Sequence, residues 1–196
     1  MCIRDRSSAL FAGHATAGTP RARDTYVYLP PTQRVPMDSA PALGARNWTM
    51  CFEVDRPTGD EAGALLGFGT VNNGLVVHID GNGHLIYDHN AYSTHTVVRS
   101  PEPLPAGASV LEVQQERVRR GPARTRLLID GEQVAEAIIP LVPVMVSSIG
   151  RNPTGVGGSY EAPFAGRLDR VEVATTRAFR LDEEAAIELA AAAEMQ

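Results

Sequence analysis

The sequence predicts an all-β protein, an antiparallel β-sandwich followed by a short C-terminal α-helix. Three observations carry this reading. First, 18 glycines and 14 prolines in 196 residues break the chain into short segments. Second, those segments alternate apolar and polar residues with a period of two. Third, Asp130-Gly131 stands between Leu127-Leu128-Ile129 and Gln133-Val134, a strong short hairpin signal.

Composition sets the limits. A domain of ~150 residues buries about 70% of the surface its unfolded chain exposes, so a core needs no disulfide or metal staple. The formal net charge of −5 argues against a nucleic-acid footprint and against binding to an anionic membrane surface. No apolar run reaches the ~18 residues of a membrane span. The apolar patch at 9–12 is too short for the h-region of a signal peptide. Cys2 and Cys51 do not define a disulfide framework, and Cys51 is expected to be a buried thiol.

Taken in order, residues 1–24 form an N-terminal segment, 25–176 the sandwich and 177–196 the helix. Within the first, 1–6 (MCIRDR) reads as a scar and 7–20 as a linker without periodicity. A strand at 25–29 is stopped by Pro30-Pro31. At 47–54 Trp48, Met50, Phe52 and Val54 alternate with Asn47, Thr49, Cys51 and Glu53, the cleanest period in the chain. Burying three such large side chains contributes about 1.5 to 3 kcal/mol each. Polar residues at 55–63 form a turn, and strands follow at 64–68 and 75–79.

The next hairpin can be registered. With Gly81-Asn82-Gly83 as a three-residue loop, Ile79 faces Leu85, Val77 faces Tyr87 and Leu75 faces His89, which keeps one apolar set on one face. Further strands are expected at 94–99, 109–118, 124–129, 133–138 and 144–149. A Gly- and Pro-rich loop at 152–163 is expected to hold neither helix nor strand. A last strand at 164–173 has an imperfect alternation of Leu168, Val171 and Val173. At 181–195 Asp182 is an N-cap, acidic residues fill the first turn and alanines the body, which predicts a helix with a thin apolar face.

Candidate chemistry is sparse. His78, Asp80 and His84 share one face near a hairpin tip, where two imidazoles and a carboxylate suit zinc. An exposed polar turn is the better reading, because no second pair of ligands stands at a diagnostic spacing. His89 and His95 flank a turn and read as strand residues. Arg117, Arg119, Arg120, Arg124 and Arg126 surround Gly121-Pro122, but a basic loop without interleaved aromatics reads as solvated rather than as a base-stacking platform. The run at 155–158 lacks the Lys-Ser or Lys-Thr end and following helix of a phosphate loop. Asn47-Trp48-Thr49 matches a glycosylation sequon inside the best strand, a chance match. There is no Gly-x-Ser-x-Gly elbow.

The order of the 47–54 strand, the Asp130-Gly131 hairpin, Ile149-Gly150-Arg151 and Gly166-Arg167-Leu168-Asp169-Arg170-Val171 resembles the concanavalin A-like or laminin-G-like jelly roll. More narrowly it is similar to the C-terminal region of large bacterial arylsulfatases. Tyr28-Leu29-Pro30-Pro31-Thr32, Val35-Pro36 and Ala40-Pro41 look like the segment leading out of their catalytic domain. The runs at 52–60, 100–105 and 160–164 also look like that region, and the resemblance covers 26–174. It implies a non-catalytic sandwich that docks on a sulfatase catalytic domain absent from this chain. Formylglycine and a divalent metal such as calcium are expected only in that domain, and no cofactor in this chain. A parent of this kind would be periplasmic or secreted.

The departures from the family limit the inference. The formylglycine signature, a Cys or Ser followed two residues on by Pro and four on by Arg, has no counterpart; Ser39-Ala40-Pro41-Ala42 ends in Leu43. Asn152 stands where similar sequences carry Asp, which weakens a loop calcium site. The alternative expectation is an independent carbohydrate- or sulfated-glycan-binding module. In either case Asn152, Tyr160 and Glu161 of the 152–163 loop are the candidate ligand-binding or docking residues. Trp48, the single tryptophan, is expected in the core, which leaves few aromatic platforms for a sugar and favours docking.

Overall fold

The computed structural model describes residues 24–30, 35, 40–41, 43, 46–70, 73–118, 121–140, 154–156 and 162–177. Eleven strands are formed there: β1 (Thr25–Tyr28), β2 (Arg46–Arg56), β3 (Gly63–Thr70), β4 (Asn73–Ile79), β5 (Leu85–Ala91), β6 (Thr94–Arg99), β7 (Gly107–Arg117), β8 (Ala123–Ile129), β9 (Glu132–Ile139), β10 (Thr154–Val156) and β11 (Arg167–Arg177). They build two antiparallel sheets, one in the order β1-β11-β2-β7-β8-β9 and the other in the order β10-β3-β4-β5-β6. Among the described residues no helix is long and apolar enough to cross a membrane. The expected strand at 144–149, the helix at 181–195 and the segment 1–23 lie outside the described residues, and Arg177, expected to open the C-terminal unit, ends β11 instead.

The alternation read from the sequence becomes the inner faces. Trp48, Met50, Phe52 and Val54 of β2 are all buried, as are Leu111 and Val113 of β7, Leu127 of β8 and Val171 and Val173 of β11. Leu66, Phe68, Leu75, Val77, Ile79, Leu85 and Tyr87 face them from the second sheet in one core. The β4–β5 register pairs Ile79 with Leu85, Val77 with Tyr87 and Leu75 with His89, as the three-residue loop requires. The uneven period around Leu168 has a local cause. The β11–β2 ladder shifts register between Leu168 and Arg170, and this bulge lets Leu168, Val171 and Val173 all turn inward.

One expectation is corrected. The stretch 152–163 was expected to hold no strand, yet Thr154–Val156 pairs antiparallel with Phe68, Gly67 and Leu66 of β3. A Gly-rich composition disfavours a central strand, but a three-residue edge strand needs a single partner and few ladder bonds. The end of the stretch is also pinned to β3, where the Ala64 amide donates to the Ala162 carbonyl at 2.8 Å; just beyond it, the Ala165 amide donates to the carbonyl of Ala62, the residue before β3, at 2.9 Å.

At one end of the sandwich, the turns after β2, between β4 and β5, and after β6 converge on Arg56, which is fully buried. Its Nε donates to the Glu61 carbonyl at 2.8 Å, Nη1 to the Leu104 carbonyl at 3.1 Å and Nη2 to the Gly59 carbonyl. Three main-chain carbonyls aimed at one guanidinium satisfy a buried cation without a carboxylate.

Candidate functional site

The opposite end of the sandwich is polar. Across the inner face of the six-stranded sheet the register aligns Thr175, Trp48, Gln115 and Thr125 in one transverse row. The neighbouring rows toward the middle hold Val173, Met50, Val113 and Leu127, and then Val171, Phe52 and Leu111, all apolar. Tyr87 and His89, successive inward positions of β5, lie over the polar row. Gln115 Nε2 donates to Tyr87 Oη at 3.1 Å and to Thr125 Oγ1 at 3.1 Å. Tyr87 Oη also lies 3.2 Å from His89 Nδ1. The Tyr87 ring packs on Trp48 with centroids 6.0 Å apart and stacks on His89 at 6.1 Å. Burial pushes the Tyr87 phenol upward, so it stays neutral. A buried polar network of this kind ties β5 of one sheet to β7 and β8 of the other.

Arg117 corrects the expectation of a solvated basic loop. Its position on β7 falls on the inner face beyond Gln115, and it is buried. Burial pulls its guanidinium down to about 10, which leaves it charged at neutral pH. Arg124 and Arg126, one strand over, point outward and pair with Glu116 and Glu136; the tightest contact is Arg126 Nε to Glu136 at 2.9 Å. Arg119 and Arg120 lie outside the described residues.

Because β5 alternates, the strand that carries Tyr87 and His89 inward carries Asp88 onto the outer face, whereas Asn90, of the same parity, is buried. The β5–β6 register sets Asn90 opposite His95 and Asp88 opposite Val97. His95 Nδ1 reaches diagonally to both Asp88 oxygens at 2.9 Å. Farther along the same face, Arg99 pairs with Asp80 at 3.1 Å. This outer face thus combines planar polar groups with the exposed aliphatic surface of Val97.

The β5–β6 hairpin closes through Tyr92 and Ser93, with φ of 52° and 68°. These are the dihedral signs of a type I′ turn, which favours Asn-Gly or Asp-Gly. The β8–β9 hairpin follows the preference, with Asp130 at 50° and Gly131 at 84°. In the β5–β6 turn a tyrosine and a serine occupy the left-handed region instead, at a cost of about 1–2 kcal/mol for each such residue. Tyr92 is 65% exposed, the one aromatic among the exposed large apolar side chains of the described residues.

The residues singled out from the sequence fall elsewhere. Asn152, Tyr160 and Glu161 lie outside the described residues. Asp80 and His84 close the β4–β5 turn together: Asp80 Oδ1 accepts from the amides of Asn82 and His84 at 2.9 Å each, and His84 Nδ1 lies 2.9 Å from the Ser100 carbonyl. Burial is the largest influence on Asp80 and acts upward. The His84 and Asn82 amides, Arg99 and His84 together outweigh it, so the carboxyl lies below its ordinary value. His78 faces outward from β4, opposite Ile86. No group of three His, Cys, Asp or Glu side chains converges on a metal position among the described residues. The polar row escaped the sequence reading, although the inward parity of Gln115 with Val113 and Leu111 was available as a signal. Tyr92-Ser93 offered none, since neither residue marks a tight turn.

No family model matches the sequence, and no curated protein matches it. Solved structures do. The CBM40 domain of the Ruminococcus gnavus IT-sialidase bound to alpha2,3 sialyllactose superposes with a TM-score of 0.54 at 15% identity, covering 74% of this chain and 83% of that one. The sandwich shares the fold of this carbohydrate-binding domain. NanB with Optactamide gives a TM-score of 0.61 at 12% identity over 82% of this chain and 27% of that one. The leech intramolecular trans-sialidase gives 0.52 at 13% identity over 74% of this chain and 23% of that one. The similarity to the arylsulfatase C-terminal region gains no support from these comparisons and stands on its quoted motifs alone.

Proposed function

We propose that the sandwich is a non-catalytic carbohydrate-binding domain. The observation that carries this reading is the likeness of the whole sandwich to the CBM40 domain bound to sialyllactose. The polar end supports it. Sugar hydroxyls are read by planar polar side chains held in fixed positions, and the outer face of β5 and β6 offers Asp88 and His95, with β5 tied by the buried network to the opposite sheet. Glycan-array screening of the chain, with alpha2,3-sialyllactose among the probes, should give saturable binding to at least one glycan. A flat response across the array would dismiss the proposal.

A second reading keeps the sulfatase relationship. The ordered motifs from Tyr28 to Val171 support a docking domain of an arylsulfatase, with formylglycine and calcium confined to the catalytic domain. The chain would then release no product from a chromogenic aryl sulfate and would bind a separately produced catalytic domain of that family. Turnover by the chain itself would reject both readings.

A further inference from the structure

We infer that Tyr92 is the stacking platform of the sugar site, and that its ligand is a neutral pyranose ring laid across the tip of the β5–β6 hairpin. This inference rests on the carbohydrate-binding reading and adds to it a residue, a contact and a ligand class.

The first argument is conformational. Two hairpins of the sandwich turn with positive φ at both central residues. The β8–β9 turn uses Asp130-Gly131, which adopt that geometry readily, whereas the β5–β6 turn uses Tyr92-Ser93. A bulky side chain at φ 52° is strained wherever it points. The strain is not repaid by core packing, because Tyr92 is 65% exposed. A costly residue in an exposed turn that asks for a cheaper one points to a use outside the fold.

The second argument is chemical. Pyranoses present a C–H-rich face that packs on an aromatic ring and a rim of hydroxyls that hydrogen-bond to planar polar groups. Among the described residues Trp48 and Tyr87 are spent in the core, whereas the Tyr92 ring is exposed and free to supply a stacking face. On the same hairpin, beside the turn, His95 is exposed and is held by Asp88 at 2.9 Å. On this face Arg99 pairs with Asp80 at 3.1 Å, and His95 Nδ1 lies 2.9 Å from Asp88. A face without unbalanced cations suits a neutral ring better than a sulfate or carboxylate.

The two arguments make a joint demand on one substitution. Tyr92→Asn relaxes the turn and removes the ring, so it should raise the thermal midpoint by about 3 °C while weakening binding at least ~10-fold. Tyr92→Phe keeps the ring and should bind as the wild type does. The probes are an array of neutral oligosaccharides together with alpha2,3-sialyllactose, followed by titration of the strongest neutral hit. Wild-type affinity retained in Tyr92→Asn would overturn the platform and leave the carbohydrate reading standing. A lowered midpoint in Tyr92→Asn would make Tyr92 a structural residue and overturn the inference. Binding confined to acidic glycans would overturn the ligand class, and no binding to any probe would remove the carbohydrate reading and this inference together.

Discussion

Replacing Arg56 by Met is the sharpest test of how this fold holds its loops. Met preserves most of the aliphatic volume and removes the guanidinium. Three main-chain carbonyls, those of Gly59, Glu61 and Leu104, lose their donor together. A hydrogen bond to a charged group contributes about 1.5–3 kcal/mol, and three would sum to more than is measured, because freed carbonyls near a turn regain water and the cost of burying the cation disappears. An expected loss of about 3–5 kcal/mol follows, the range for breaking a buried charged network. With a urea m-value of about 2 kcal/mol/M, the unfolding midpoint should fall by roughly 2 M. Arg56→Lys should recover little, since one ammonium on a flexible stem cannot present donors in the fixed directions of the fork. The assay is equilibrium urea unfolding followed by Trp48 fluorescence, with native-state hydrogen exchange reporting on the turns at 57–62 and 101–106. A midpoint shift under ~0.5 M would refute the claim that this cation organises the end of the sandwich.

Three further predictions concern single sites. Gly63→Ala should destabilise by about 2–3 kcal/mol, because its Cβ would stand 2.4 Å from the Pro163 carbonyl oxygen at a φ of 124°, while Gly107→Ala, at φ 101° with nothing within 4 Å, should lose about half as much. Thermal unfolding of the pair measures the difference, and equal losses would show that φ alone matters. Tyr87→Phe removes the acceptor of Gln115 and should cost about 1–2 kcal/mol with a loosened β5, read as faster amide exchange at 87–91; unchanged exchange would dissociate the network from rigidity. Asp80 has a folded pKa below its unfolded value of about 3.9, so its contribution is complete above that value and is lost as pH falls through the folded pKa. The stability gap between wild type and Asp80→Asn should therefore narrow below about pH 4, and a gap that widens with acid would reverse the sign assigned here.

Much of this architecture was legible because local pattern and global fold agree. The β4–β5 register could be read because one loop length puts Leu75, Val77 and Ile79 on the same face as Leu85, Tyr87 and His89, and any other mixes faces. Trp48, Met50 and Phe52 announced the central strand for the same reason. Three features were less open. Strand β10 lies in a composition that argues against strands, and its existence depends on an unpaired β3 edge far away in the chain. The bulge after Leu168 blurred the period of β11, because a two-residue repeat cannot represent one inserted residue. The polar row and Tyr92 were harder again: alternation tells which face a residue takes, but not which row the other sheet lays over it, nor that a turn will accept φ values its residues disfavour. Arg56 stood in plain parity with Trp48, Met50, Phe52 and Val54, and a charged residue ending an inward series was a readable sign of a buried cation.

The pairing of the first and last strands has a consequence for how such a unit can be wired. Thr25 lies opposite Ala174, and β11 then sits between β1 and β2. The polypeptide therefore comes in and goes out about one interstrand spacing apart, ~5 Å. A host protein could carry the whole sandwich as an outgrowth of a single surface turn without stretching its own backbone. By the same geometry, joining the two ends and opening the chain between Asp130 and Gly131 should yield a permuted sequence that folds to the same two sheets.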